Sequence, residues 1–269
     1  MECYDNVRSL SAVQTHEEPW LECFLNPIER ELGRRYRKAV IVCSGGGYGS
    51  HTVQEEYMVA LRFQSYGFQS FVLHYSVGKK QFPKAMNELA DAIVMVRDNS
   101  SKWDINPDGI TVCGFSAGGH LAASLAVHCE SKLINNHNRG KKCKPDAIIL
   151  CYPIITTKQQ WAHTSFVEEM CIDSESNLYS FISVENYVNK DMCPCFIWHN
   201  VDDPVVSVMN SILFIERLSF YHIPFESHLF IRGGHFLGLA DDTTAPIESY
   251  INDVCAQWVP MAIRWLKEL

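Results

Sequence analysis

The 269-residue chain has no excess of basic charge: 23 Lys and Arg face 31 Asp and Glu, a formal net charge of −8. That excludes nucleic acid or an anionic membrane surface as the main partner, since both are held by a basic face. No stretch approaches the ~20 consecutive apolar residues that a membrane helix needs. The longest apolar runs, such as 39–43 and 147–151, have strand length. The opening Met1-Glu2-Cys3-Tyr4-Asp5 has no basic region followed by an apolar one, so no secretory leader is expected. Zinc spacing is missing too: Cys193-Pro194-Cys195 is C-x-C rather than C-x-x-C, and no Cys/His pair elsewhere repeats a metal pattern. There is no internal repeat, low-complexity tract or linker rich in Pro, Gly or Ser, so a single domain over 1–269 is expected.

What is present is the composition of a globular protein, with 47% hydrophobic and 20% charged residues. The 11 cysteines are odd in number and irregularly spaced. Cys43, Cys113 and Cys151 lie inside apolar runs, where cysteine acts as a small hydrophobe. Reduced thiols in a cytosol are therefore expected.

Short apolar runs alternate with helix-like segments, the pattern of βαβ units around a mostly parallel sheet. Strands are predicted at 39–43, 69–75, 110–115, 147–152, 195–199 and 225–231. Helices are predicted at 55–66, 83–98, 117–129, 207–221 and 247–266. Residues 1–38 form a leading segment, with an antiparallel edge strand expected around Trp20 to Leu25. Residues 154–192 are too long for a plain connection and are expected to form a short helical insert near a site.

Gly114-Phe115-Ser116-Ala117-Gly118 fits G-x-S-x-G, with a strand before it and a helix after it. The serine of such a sharp turn sits in a strained backbone, so its neighbours must be tiny. Gly114 and Gly118 supply that space, and Gly119 lets the helix approach the sheet. Serine alone is a poor nucleophile; it needs a base, and the base needs an acid to hold its tautomer. After this kind of elbow the chain order is serine, acid, histidine. Of 11 histidines, only His235 sits after a late strand in a tight glycine turn, Gly233-Gly234-His235. His120, His199, His222 and His228 lack that setting. For the acid, Asp203 is preferred over its neighbour Asp202, because Pro204-Val205-Val206 redirects the chain directly after it. The N–H groups of Gly46 and Gly47, in Ser44-Gly45-Gly46-Gly47-Tyr48-Gly49, together with that of Ala117, would form an oxyanion hole. A phosphate loop is excluded there, because no Gly-Lys-Ser/Thr ending follows.

These residues resemble the α/β-hydrolase fold, and within it the small bacterial acetyl-xylan and feruloyl esterase-like group, relatives of hormone-sensitive-lipase-type esterases. The resemblance rests on Cys43 to Tyr48, Val72-Leu73-His74-Tyr75-Ser76-Val77, Gly114 to Ala122, Phe196 to His199 with Asp203 to Val206, and Gly233-Gly234-His235. It spans about residues 39–240. Lipase-like members carry His before the triple glycine and acetyl-esterase-like members often Pro; here it is Ser44.

The resemblance implies a mostly parallel central sheet with helices on both faces. It also implies a serine carboxylesterase acting on small acyl esters such as acetylated sugars or xylo-oligosaccharides, with no cofactor and no metal. Tyr48 then either lines the substrate pocket or packs at the loop end, and a homodimer is compatible with the family type. The alternatives are a peptidase or deacylase using the same residues, and a non-catalytic binding protein on the same fold.

Overall fold

A computed structural model describes residues 2–5, 19–27, 36–132, 134, 140–170 and 177–269. Parts of the leading segment (6–18 and 28–35) and of the insert (171–176) lie outside these residues. Among these residues eight strands form one sheet: β1 (Glu2–Asp5), β2 (Trp20–Phe24), β3 (Arg37–Cys43), β4 (Gln69–His74), β5 (Ile105–Phe115), β6 (Ala147–Cys151), β7 (Cys195–Asn200) and β8 (Phe225–Phe230). Their order is β1-β2-β4-β3-β5-β6-β7-β8. Among the described residues only the β2–β4 pairing is antiparallel. The expected leading strand is therefore present, but it is not the edge, because β1 pairs outside it in parallel.

The helices are α1 (Tyr57–Ser65), α2 (Lys84–Asp98), α3 (Ser100–Trp103), α4 (Ala117–His128), α5 (Thr164–Met170), α6 (Asn177–Phe181), α7 (Met209–Phe220) and α8 (Trp258–Glu268). Alternation along the strands feeds two cores. Ile41, Ile110 and Val112 pack with Leu89 and Ile93 of α2, Leu121 and Leu125 of α4, and Phe214 and Leu218 of α7. On the other face Val40, Val42 and Phe115 pack with Val59 and Phe63 of α1 and with Trp258 and Trp265 of α8. Trp198 and Trp258 are fully buried and stacked, with ring centroids 5.6 Å apart. Replacing either by Ala costs roughly 3–5 kcal/mol in a packed interior.

The predicted C-terminal helix at 247–266 is shorter than expected. The Asn252 side chain accepts from the Val254 and Cys255 N–H groups, which turns the chain before Trp258. Thiols at Cys43, Cys113, Cys151, Cys195 and Cys255 are free. Cys23 departs from the expectation of wholly reduced cysteines, because it is disulfide-bonded. Among the described residues no helix is long and apolar enough to cross a membrane.

Topology alone marks one place for chemistry. The chain leaves β3 for β4 on one side and returns to β5 on the other, so β3 and β5 flank the switch point of the sheet. In open α/β sheets the carboxyl ends of the strands at such a point are where ligands bind. The glycine-rich loop follows β3 and Ser116 follows β5.

Candidate active site

Ser116 turns sharply between β5 and α4 with φ 50° and ψ −112°, a conformation L residues rarely adopt. The turn closes because its neighbours are glycines. A Cβ on Gly114 would stand 2.2 Å from the Gly118 carbonyl oxygen, and one on Gly118 2.1 Å from that of Cys43. Ser116 is thereby held at the tip of the turn, with only 3% of the residue exposed.

Three side chains distant in sequence converge here. Ser116 Oγ lies 3.0 Å from His235 Nε2, and His235 Nδ1 lies 2.6 Å from Asp203 Oδ2. The carboxylate can only accept, so Nδ1 carries the proton and Nε2 is left to accept from the serine hydroxyl. Asp203 is fixed in turn: its Oδ1 accepts from the Val205 and Val206 N–H groups at 2.8 and 2.9 Å. Burial alone would raise its pKa. Hydrogen bonds from His199 and His235, the charge of His235 and the Val206 N–H outweigh burial and hold the carboxyl well below the usual carboxylate range. Burial lowers the His235 pKa, only partly offset by Asp203, so the imidazole stays neutral to lower pH than usual.

Asp202, the second choice for the acid, has a separate task. Its Oδ1 accepts from the Gly233 and Gly234 N–H groups at 2.9 and 3.0 Å, gripping the histidine loop. Asn200 donates to the Gly234 carbonyl from the other side. His199 sits 3.3 Å from Asp203 Oδ2 through Nε2, which also donates to the Val206 carbonyl, while its Nδ1 meets the Ser211 hydroxyl at 2.7 Å. The sequence did hold a signal for this partner: it stands four residues before Asp203 at the end of β7.

The glycine-rich loop is a tight turn in which the Gly46 carbonyl accepts from Gly49 and Ser50. Among the described residues, the N–H groups of Gly46, Gly47 and Ala117 donate to no protein group. Ser44 anchors the loop by donating to Glu56 at 2.8 Å and meeting His51 Nδ1 at 3.1 Å. Tyr75 donates to the Ser44 carbonyl at 2.7 Å.

Tyr48 is enclosed by Tyr75, His120 and Phe166. It is 4% exposed, and its hydroxyl lies 2.9 Å from His120 Nδ1. His120 Nε2 donates to the Ile182 carbonyl, and burial brings the His120 pKa down to about 4, so the ring is a neutral acceptor for Tyr48. Its contacts with His120 and Phe166 are those of a packing residue at the loop end.

Two further residues lie at the site without having been expected there. The Glu55 carboxylate is buried behind the glycine loop, accepting from the Gly45 N–H at 2.8 Å and the Tyr152 hydroxyl at 2.7 Å. His163 opens α5 in the insert, with its Nδ1 accepting from the Phe166 N–H at 3.1 Å. Burial lowers its pKa, the neighbouring His235 lowers it further, and the Asp203 charge opposes them. Phe166, fully buried one turn on, packs against Tyr48 and His120, so α5 is docked beside the loop. The Glu169 carboxylate at the far end of α5 approaches Gly49.

Comparison with known proteins agrees with this architecture. The family model BD-FAE matches residues 29–218. The chain is 34% identical over 212 residues to endo-1,4-beta-xylanase B of Butyrivibrio fibrisolvens, covering 77% of this chain and 33% of that one. It is 28% identical over 208 residues to an acetylxylan esterase of Xylanibacter ruminicola, covering 73% and 39% respectively. The chain thus spans about a third of the length of these curated relatives. A crystal structure of an acetyl ester-xyloside bifunctional hydrolase from Caldicellulosiruptor lactoaceticus superposes with a TM-score of 0.81 at 33% identity, covering 93% of this chain and 88% of that one.

Proposed function

Because the chain belongs to the BD-FAE family and has the α/β-hydrolase fold, we propose that it is a serine carboxylesterase acting on small acyl esters, acetylated sugars among them. The observation that carries this reading is the continuous relay from the Ser116 hydroxyl through His235 to Asp203. In this reading His235 takes the proton from Ser116 as its oxygen attacks the ester carbonyl, then returns it to the leaving alcohol. Asp203 holds the ring and stabilises the imidazolium. The oxyanion is met by the N–H groups of Gly46, Gly47 and Ala117; loss of one such donor typically costs ~3–4 kcal/mol of transition-state stabilisation. Water, activated by the same histidine, then cleaves the acyl-enzyme. The sugar preference is supported by the xylan-linked relatives, an acetylxylan esterase and an acetyl ester-xyloside hydrolase.

The test is turnover of p-nitrophenyl acetate and of acetylated xylo-oligosaccharides by wild type and Ser116→Ala. Hydrolysis lost in the variant, with an unchanged circular dichroism spectrum, supports the reading. Equal turnover in the two proteins overturns it. The reading includes a cytoplasmic location, favoured by the free thiols and opposed by the bonded Cys23; cell fractionation tests it.

A further inference from the structure

The relay above makes no use of Glu55, yet this fully buried residue holds the glycine loop directly and reaches the His235 loop through Tyr152. It ends a short 3-10 turn, Val53–Glu55, just before α1. Oε2 accepts from the Gly45 N–H, at the root of the glycine loop. Oε1 accepts from the Tyr152 hydroxyl at the end of β6. The Tyr152 oxygen in turn accepts from the Gly238 N–H at 3.1 Å, three residues beyond His235. Its ring packs against the His235 imidazole with centroids 4.6 Å apart. Glu55 is also close to the nucleophile. A Cβ placed on Gly45 would stand 2.8 Å from Glu55 Oε2 and 2.9 Å from Ser116 Cβ, so glycine is what allows the three to crowd together.

We propose that Glu55 is a positioning residue that joins the glycine loop to the His235 loop, so that the oxyanion donors and the general base are set in register together. This rests on the esterase reading above. The proton count identifies the working form. The Gly238 N–H already occupies one lone pair of the Tyr152 oxygen, and the Tyr152 proton has Glu55 as its acceptor. The Gly45 N–H is a donor as well. Both partners of the carboxyl group are donors, so the ionised form fits and the protonated form breaks a contact.

The charge is held against opposition. Burial raises the Glu55 pKa to about 7; the hydrogen bonds from Tyr152 and Gly45 lower it, and the neighbouring Glu56 raises it. Around the carboxyl group stand Glu56 along the chain, Tyr75 after β4, and Cys151 and Tyr152 at the end of β6. His51 and His74 approach Glu56 at 3.7 and 4.0 Å on its far side. Acidification through neutrality therefore releases the Glu55 clamp before His235, whose own pKa is lowered, gains a proton.

The experiment compares kcat and KM for p-nitrophenyl acetate between pH 5.5 and 9 in wild type, Glu55→Gln, Tyr152→Phe and Ser116→Ala. Glu55→Gln is expected to lose roughly 10- to 100-fold in kcat, the scale of a small misplacement of catalytic groups, with KM little changed. Its acid limb moves to lower pH, because only His235 still titrates. In Tyr152→Phe a donor that favours the ionised carboxylate is gone, so the acid limb moves the opposite way, to higher pH. A purely structural role lowers the folded fraction without opposite shifts in the limbs. Wild-type kcat in Glu55→Gln, or an acid limb unmoved in both variants, overturns the proposal. Should Glu55→Gln not fold, an unmoved limb in Tyr152→Phe overturns it alone. Those results alongside an inactive Ser116→Ala leave the esterase reading standing, whereas turnover that survives Ser116→Ala removes both.

Discussion

Two carboxylates flank the nucleophile, and their surroundings push them in opposite directions. Asp203 accepts from two backbone N–H groups and faces two imidazoles, and its pKa is held well below the ordinary range. Glu55 accepts from one N–H and one hydroxyl, has another carboxylate as its neighbour, and rises to about 7. Both are deeply buried, so burial does not separate them. The number and charge of the donors does. The region around Asp203 is built to keep a charge through every turnover. The region around Glu55 keeps its charge only above neutrality, which makes it the pH-sensitive half of the site.

The comparison breaks first at Asp203. Asp203→Asn is expected to lower kcat about ten-thousandfold by releasing the His235 tautomer, with the fold retained. A loss no larger than that of Glu55→Gln would show that the two carboxylates are not distinct in role.

Thermal melts against pH sharpen it, because the linkage signs are opposite. The depressed pKa of Asp203 adds stability above its unfolded value of about 3.8, and that stability is lost as pH falls through the folded pKa. Asp203→Asn should therefore lower Tm at pH 7, by an amount that shrinks in strong acid. The raised pKa of Glu55 works the other way: it favours folding below about pH 4.5, and the contribution fades as pH rises toward 7. The Tm difference between Glu55→Gln and wild type should then move in favour of the variant between pH 5 and 8. Parallel pH dependence in the two variants would refute the assignment.

Smaller effects mark the edges of the two regions. His199→Gln removes one imidazole from Asp203 and is expected to cost about tenfold in kcat, the scale of one lost charge-assisted hydrogen bond. Tyr48→Phe removes only the buried bond to His120, so stability should fall by about 1 kcal/mol with kcat retained. A large rise in KM for Tyr48→Phe would return Tyr48 to the substrate pocket.

How much of this was legible in the sequence follows from where each constraint acts. The elbow around Ser116 was legible because its steric demand is local: the glycines that must be absent of side chains stand within three residues. The Ser116, Asp203 and His235 set was legible because each follows a strand that ends on the same rim. The sheet was legible from the buried runs of β3, β5, β6 and β7. Glu55 was not, because Gln54-Glu55-Glu56 reads as the polar start of a surface helix. Only tertiary packing, with Gly45, Tyr152 and Gly238 around it, turns that side chain inward. Tyr48 was left open for the same reason: a tyrosine after a glycine loop faces either way until α5 and His120 claim it. The start of α8 was misplaced because a single Asn252 turn, invisible to periodicity, ends the preceding segment.

The account stands on Ser116 being an activated nucleophile. The most direct measurement is intact-mass and peptide mapping after treatment of the folded wild-type protein with a fluorophosphonate probe. The account predicts one adduct, on Ser116, that is lost in Ser116→Ala and formed far more slowly in Asp203→Asn. A protein that stays unlabelled, or one labelled at another residue, would contradict it.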